Sequence, residues 1–287
     1  MPKTVLAIVP HPDDAEMEAG GLLVKYARGG HRVVFVVATD GSRGSMDRGG
    51  PALAARREGE TRRAAALIGA AEPIFLGWPD FGLDSIPLPF IREKLISLIR
   101  TMKPDLVITQ DPAVYDSHPD HRTLAIAAAD AIEFSMLPGI HPEQIDAGLE
   151  PWFVAEKLFY SKTNAGANYF VDISDVIGVK VDAVLEHQSQ VEFLVADIMR
   201  QAELACIKPE AMAAASGTGA SGPEGPAALM AWAVQRRAAE IGAKAGYPFG
   251  EAYRRVRFHP YVESLANNAD LACEDGEGIE ELEGPSG

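Results

Sequence analysis

Along the chain, short apolar runs rich in β-branched residues alternate with longer stretches whose apolar residues recur every three or four positions. Residues 4–10, 32–38, 73–76 and 105–109 are of the first kind, and they predict buried strands. Residues 15–29, 52–70, 88–102 and 122–134 are of the second kind, and they predict helices. Gly29-Gly30 ends the first helix and Pro104 stops the third. Strands and helices that alternate in this way need right-handed crossovers. The predicted fold is therefore α/β, a Rossmann-like, mostly parallel sheet sandwiched by helices. Further strands are expected near 154–160 and 168–172, with a helix from about 174. Residues 216–226, Ser-Gly-Thr-Gly-Ala-Ser-Gly-Pro-Glu-Gly-Pro, read as a flexible loop between helical stretches, an insertion more than a lid. From about Asn267 the chain is expected to be disordered. The pattern gives one α/β domain over residues 1–265 and an acidic tail over 266–287, with no internal repeat.

Two of these strands end in unusual chemistry. The run Val5-Leu-Ala-Ile-Val9 breaks into Pro10-His-Pro-Asp-Asp14. One imidazole and two adjacent carboxylates thus sit where a strand hands over to a helix. In open α/β sheets ligands bind at that rim. A catalytic divalent metal takes three protein ligands and keeps one position open. This turn can supply two ligands and leaves a carboxylate over. The second strand, Leu106 to Thr109, leads through a loop with Asp111, Asp116 and Ser117 into His118-Pro-Asp-His-Arg122. Three of the seven histidines fall in these two turns. In a parallel sheet both turns lie on one rim, so a metal site is expected at the C-terminal rim of the strands. A single histidine here would read as a helix cap or loop filler; paired motifs in the same context do not.

These motifs resemble the two signatures of the N-acetylglucosaminyl deacetylases, the PIG-L or LmbE-like zinc enzymes. The resemblance continues at Arg57-x-x-Glu60 with Leu67-Ile-Gly69, at Leu76-Gly-Trp-Pro-Asp80, at Phe170-Val-Asp-Ile-Ser-Asp175 and at Glu186-His-Gln-Ser-Gln190. It spans residues 4 to 192 and then fades. Within the family the chain is most similar to the archaeal diacetylchitobiose deacetylases. The shared stretches are His118 through Leu137-Pro-Gly139 to Gly148-Leu-Glu-Pro151, and Asn168-Tyr-Phe-Val-Asp172.

The resemblance implies one Zn²⁺ per chain, held by His11, Asp14 and His121, and a hydrolase that removes the N-acetyl group of an N-acetylglucosamine unit in a small oligosaccharide or glycoconjugate. Asp13 is its expected general base; neighbours on an extended turn face opposite ways, which leaves Asp13 free of the metal. His118 is expected beside the substrate, stabilising the oxyanion and, protonated for part of the cycle, passing a proton to the departing amine. Asp120 either accepts a hydrogen bond from His118 and orients it, or is a helix N-terminal carboxylate stabilised by the dipole. Arg57 and Asp80 match sugar-binding positions, and His259 matches a late-chain active-site histidine. Against these stand plainer readings: Arg57 as an i,i+3 partner of Glu60, Trp78 as a core aromatic, His187 as a structural residue within a helix. Asp40, Gly41 and Ser42 are expected to line the pocket, and Arg43 to be a solvated loop cation.

Composition narrows the partners. The net charge of −15 argues against nucleic acid and anionic membrane surfaces, since phosphate contact needs clustered basic residues. Part of the charge is local: Glu274, Asp275, Glu277, Glu280, Glu281 and Glu283 follow Cys273 with no Lys or Arg among them. Cys206 and Cys273 form no Cys-x-x-Cys pair, so a reducing compartment is the default. The first apolar run leads into the candidate site without a cleavage signal, and no run approaches the ~20 residues needed to span a bilayer. The expectation is a cytoplasmic enzyme acting on a small N-acetylated sugar, as a homo-oligomer with residues 138–151 as the contact. Two other readings share the site: an amidase of a glucosamine–thiol conjugate, and an inactive metal- or sugar-binding relative. An unliganded base argues against the inactive form. A dinucleotide-binding protein is excluded because Pro-His-Pro-Asp-Asp stands where Gly-x-Gly-x-x-Gly belongs.

Overall fold

A computed structural model describes residues 1–208, 225–258 and 261–262. Its centre is β1 (Thr4–Val9), whose alternate side chains enter different cores. Val5, Ala7 and Val9 pack with Leu22, Leu23, Val33 and Phe35 on one face of the sheet. Leu6 and Ile8 pack with Ile91, Leu95, Ile99 and Leu124 on the other. Burial on both faces is what a continuous apolar run in a parallel sheet requires.

The sheet has seven strands in the order β3-β2-β1-β4-β5-β7-β6. β2 (Arg32–Thr39), β3 (Ile74–Trp78), β4 (Leu106–Gln110) and β5 (Glu156–Tyr160) run parallel to β1. β7 (Gly250–Val256) closes that sheet antiparallel to β5 and carries β6 (Tyr169–Asp172) antiparallel on its far side. The strand order reverses direction at β1 and β4, which pair from Val5↔Leu106 to Ile8↔Thr109. Their C-terminal ends therefore lie side by side, in the crevice where such sheets bind ligands.

Helices α1 (Asp14–Arg28), α2 (Pro51–Ile68) and α6 (Ile177–Leu185) pack together, while α3 (Leu88–Met102) packs on α4 (Pro119–Phe134). The helix expected from about 174 is broken at His187 into α6 and α7 (Gln188–Leu204). The expected 138–151 loop contains a short helix, α5 (Pro142–Asp146). α8 (Gly225–Gly242) begins at the last two residues of the predicted Gly-rich loop. The rest of that loop, the acidic tail and His259 lie outside the described residues. Among the described residues no helix is long and apolar enough to cross a membrane.

One contact reaches into the middle of α1. Glu251 of β7, 2% exposed, accepts the backbone N–H of Gly21 at 2.8 Å and of Leu22 at 2.9 Å. One turn earlier, the Met17 carbonyl accepts from Lys180 Nζ at 2.8 Å. Lys180 also donates to Glu251 at 2.6 Å, and the Tyr253 hydroxyl donates to the same carboxylate at 2.7 Å. Side chains from α6 and β7 thus bond to backbone groups in the middle of a helix, where such groups ordinarily bond only within the helix. Gly21 makes room, because a Cβ there would lie 2.6 Å from Ile173.

Candidate active site

The β1–α1 turn is only four residues long, and it places His11, Asp13 and Asp14 within one step of the strand end. The β4–α4 turn is longer and delivers His118 as the N-cap of α4, with His121 one turn in. The two turns meet across the β1/β4 crevice. His11 Nδ1 lies 3.2 Å from His121 Nε2 and 3.3 Å from Asp14 Oδ2, and His121 Nε2 lies 3.5 Å from Asp14 Oδ2. Four donors around a tetrahedral ion at bond lengths of about 2.0–2.1 Å stand about 3.3–3.4 Å apart. The triangle therefore has the size of one face of a metal coordination sphere.

The hydrogen bonds behind the triangle agree with that use. His11 Nε2 lies 3.3 Å from Asp120 Oδ2 and 3.3 Å from Asp80 Oδ1. A proton held there leaves Nδ1 free as a ligand. His121 Nδ1 lies 3.3 Å from Gln110 Oε1, which fixes the opposite tautomer and frees Nε2. Asp14 Oδ2 accepts the His11 backbone N–H at 2.8 Å. Burial works against a charged His11, yet Asp120, Asp14 and Asp80 together raise its pKa well above the ordinary histidine value. Burial also opposes charge on Asp14, but His121 and His11 win and hold its carboxyl below the usual range. A crowd of carboxylates around two imidazoles is an environment built for a cation.

Asp13 is separate from this triangle. Its backbone stands at φ 118°, in a region that L residues rarely adopt, and this turns its side chain away from that of Asp14. Asp13 Oδ1 accepts from Arg57 Nη2 at 3.2 Å. Burial raises its pKa to about 6, with Arg57 opposing.

Several sequence expectations need correction here. Arg57 was expected to meet a sugar, or else Glu60. It is 2% exposed, and its guanidinium donates to the Pro12 and Gly41 carbonyls at 2.6 and 2.9 Å as well as to Asp13. It holds Asp13 from behind, and Glu60 pairs with Arg56 instead. The Gly41 and Gly44 backbone closes over the guanidinium; a Cβ at either would come within 2.8 Å of Arg57 Nη1. Asp80, the other expected sugar contact, is buried and committed to His11 and to the Arg43 backbone N–H at 2.8 Å. Asp120 does not orient His118 through its carboxylate. That carboxylate accepts the backbone N–H groups of Phe81 and Leu83 at 2.7 and 2.9 Å and faces His11. The backbone N–H of Asp120 donates to His118 Nδ1 at 3.2 Å.

His118 itself is half-buried beside the triangle, with its ring 4.6 Å from that of His11. Burial and the neighbouring His11 and His121 push its pKa below the usual value. Its Nδ1 is taken by the Asp120 backbone N–H, which leaves Nε2 as the other ring nitrogen. His187 is no mid-helix residue but the N-cap of α7, buried 3.1 Å from the equally buried Glu16. Gln110 went unnoticed in the sequence; a polar residue closing a fully buried strand on the same rim was the signal.

An α/β sheet with a metal-sized donor triangle and a further carboxylate at its C-terminal rim defines a class of rim-sited enzymes. Comparison with known proteins gives the family. Residues 6–132 match the PIG-L model, described as GlcNAc-PI de-N-acetylase. The chain is 38% identical over 192 residues to the diacetylchitobiose deacetylase of Thermococcus kodakarensis, covering 66% of this chain and 70% of that protein. It is 26% identical over 230 residues to the 1D-myo-inositol 2-acetamido-2-deoxy-alpha-D-glucopyranoside deacetylase of Actinosynnema mirum, covering 66% and 81% respectively. The solved N,N'-diacetylchitobiose deacetylase from Pyrococcus horikoshii superposes with a TM-score of 0.70 and 28% identity, over 92% of this chain and 89% of that one. The chain belongs to the PIG-L family of deacetylases.

Proposed function

We propose that this protein is a zinc-dependent N-deacetylase that releases acetate from an N-acetylglucosamine unit of a small oligosaccharide or glycoconjugate. The observation that carries the reading is a donor triangle with a largely buried carboxylate next to it, Asp13, which is held by Arg57 through one oxygen only. Two imidazoles and one carboxylate suit Zn²⁺ in a site that keeps a position open. One ion per chain, held by His11, Asp14 and His121, would lower the pKa of a water from ~15.7 toward ~7 and polarise the amide carbonyl.

The chain's own residues do the rest. Asp13 Oδ2, unlike Oδ1, is not taken up by Arg57, and it takes the proton of the attacking water. His118 donates Nε2–H to the carbonyl oxygen as negative charge grows there, and needs no reorganisation to do so. Asp13 then passes its proton to the amine nitrogen as the C–N bond breaks, so acetate and a free amino sugar leave. Arg57 holds Asp13 aimed through this cycle, while Asp80 and Asp120 hold His11.

The test is a deacetylation screen of N-acetylglucosamine, diacetylchitobiose and N-acetylglucosaminyl-inositol, with free amine as readout. Chelation should abolish release and Zn²⁺ should restore it. His121→Ala should lose both the metal, by elemental analysis, and the activity. A chelator-resistant enzyme, or full metal content in His121→Ala, would sink the assignment.

A further inference from the structure

We infer that Phe81 is a specificity-determining residue whose ring is the apolar platform for the pyranose of the substrate. The inference rests on the deacetylase reading above and deepens it.

Phe81 follows β3 and stands beside the catalytic rim. Its ring is 57% exposed and meets the His118 imidazole edge-on, 5.5 Å away at 90°. Its backbone lies at φ 57°, in the left-handed region that bulky L residues rarely adopt. The next residue is Gly82, which could adopt that conformation without strain, yet it stands at φ −140°. The strain thus falls on the aromatic residue and not on its neighbour.

Packing does not explain this, because the ring is exposed. The backbone around it is fixed instead. Asp120 accepts the N–H of Phe81 and of Leu83, and Leu83 is fully buried. The Asp120 oxygen that binds Phe81 also faces His11 Nε2. One carboxylate therefore sets both the ligand imidazole and the residue that carries the ring. A strained residue held rigidly at a site edge is an observation that calls for a function. Imidazoles and carboxylates of the site lie beside the Phe81 ring. A pyranose has faces of C–H bonds bordered by hydroxyls. An aromatic ring beside polar groups lets such a face leave water while its hydroxyls stay hydrated.

The test uses the zinc-loaded full chain with diacetylchitobiose, comparing wild type with Phe81→Ala, Phe81→Tyr and Phe81→Gly. Phe81→Ala should raise KM roughly five- to thirty-fold, the loss of one apolar ring contact, with kcat and zinc content near wild type. Phe81→Tyr should keep the wild-type KM. Phe81→Gly should show the same KM loss with a melting temperature equal to or above wild type, because glycine relieves the left-handed strain. An unchanged KM in Phe81→Ala would overturn the inference. So would a fall in kcat together with zinc content, which would make Phe81 only a prop for Asp120. A wild type inactive on every acetamido sugar would overturn the deacetylase reading, and this inference with it.

Discussion

The two strand–helix turns that build the site are made differently. The β1–α1 turn is short and strained, and it is held from behind by one buried arginine. The β4–α4 turn is long and polar, and its hold comes from the surface side. Arg254 grips Asp111 with two bonds at 2.7 and 2.8 Å, and Lys162 reaches Asp116 at 3.0 Å. Arg122 donates to the Asp116 and Ser117 carbonyls at 2.7 and 2.8 Å. The difference shows in the surroundings of the side chain each turn carries. Burial at the tight turn raises the pKa of Asp13. The longer loop leaves His118 half-buried at the rim.

This contrast can be broken from either side. The largest expected effect is at the short turn. Asp13→Asn should keep its zinc, while turnover falls roughly 10²–10⁴-fold, the range of a positioned acid or base. His118→Ala at the long turn should also keep zinc, with kcat falling roughly 10²–10³-fold, the range for loss of one oxyanion donor. Loss of metal in His118→Ala would mean that the two histidines of the second turn have exchanged roles. Cutting the surface hold should matter less. Arg254→Met should destabilise by about 1–3 kcal/mol, because Asp111 is left buried without its cation, and should slow turnover less than tenfold. A larger kinetic loss than that of His118→Ala would show that the long turn is the fragile one.

The smallest effect is a pH dependence behind the short turn. Burial opposes charge on His187, but Glu16 overrides it and the imidazole pKa is raised. A raised folded value means that the pair's contribution is complete below the ordinary histidine pKa near 6.5 and is lost as pH rises through the raised value. Urea unfolding of wild type should therefore weaken across that window more than unfolding of His187→Gln. Parallel curves would remove the ion pair from the stability balance.

Much of the parallel half was legible in the sequence. β1, β2, β4 and α1 to α4 fall within about three residues of their expected bounds, because buried runs, glycine stops and proline breaks are local signals. The partners behind the site were not legible. Whether the Asp120 carboxylate turns to His118, two residues away, or to Phe81 and His11 is decided by the path of residues 79–83, which has no periodicity. Arg57 is expected at the sugar because it matches a sugar-binding position of the family, and nothing local reveals the carbonyls that take its guanidinium. β7 was hidden for a related reason. Glu251, Arg254 and Arg255 spoil its apolar pattern, yet each meets an opposite charge, on Lys180, Asp111 and Glu156.

The contact from β7 into α1 also sets an order of assembly. Most helices complete their hydrogen bonds from residues a few positions away, as fast as the local chain can coil. Gly21 and Leu22 find their acceptor 230 and 229 residues later. Until β7 lies against β5, the helix that Asp13 caps and Asp14 opens lacks the carboxylate that accepts from two amides at its middle. Contacts closed over such a separation form slowly, so this brace on α1 comes only when β7 docks. A chain cut before β7 keeps both turns of the site, but loses the carboxylate that braces the helix the first of them begins.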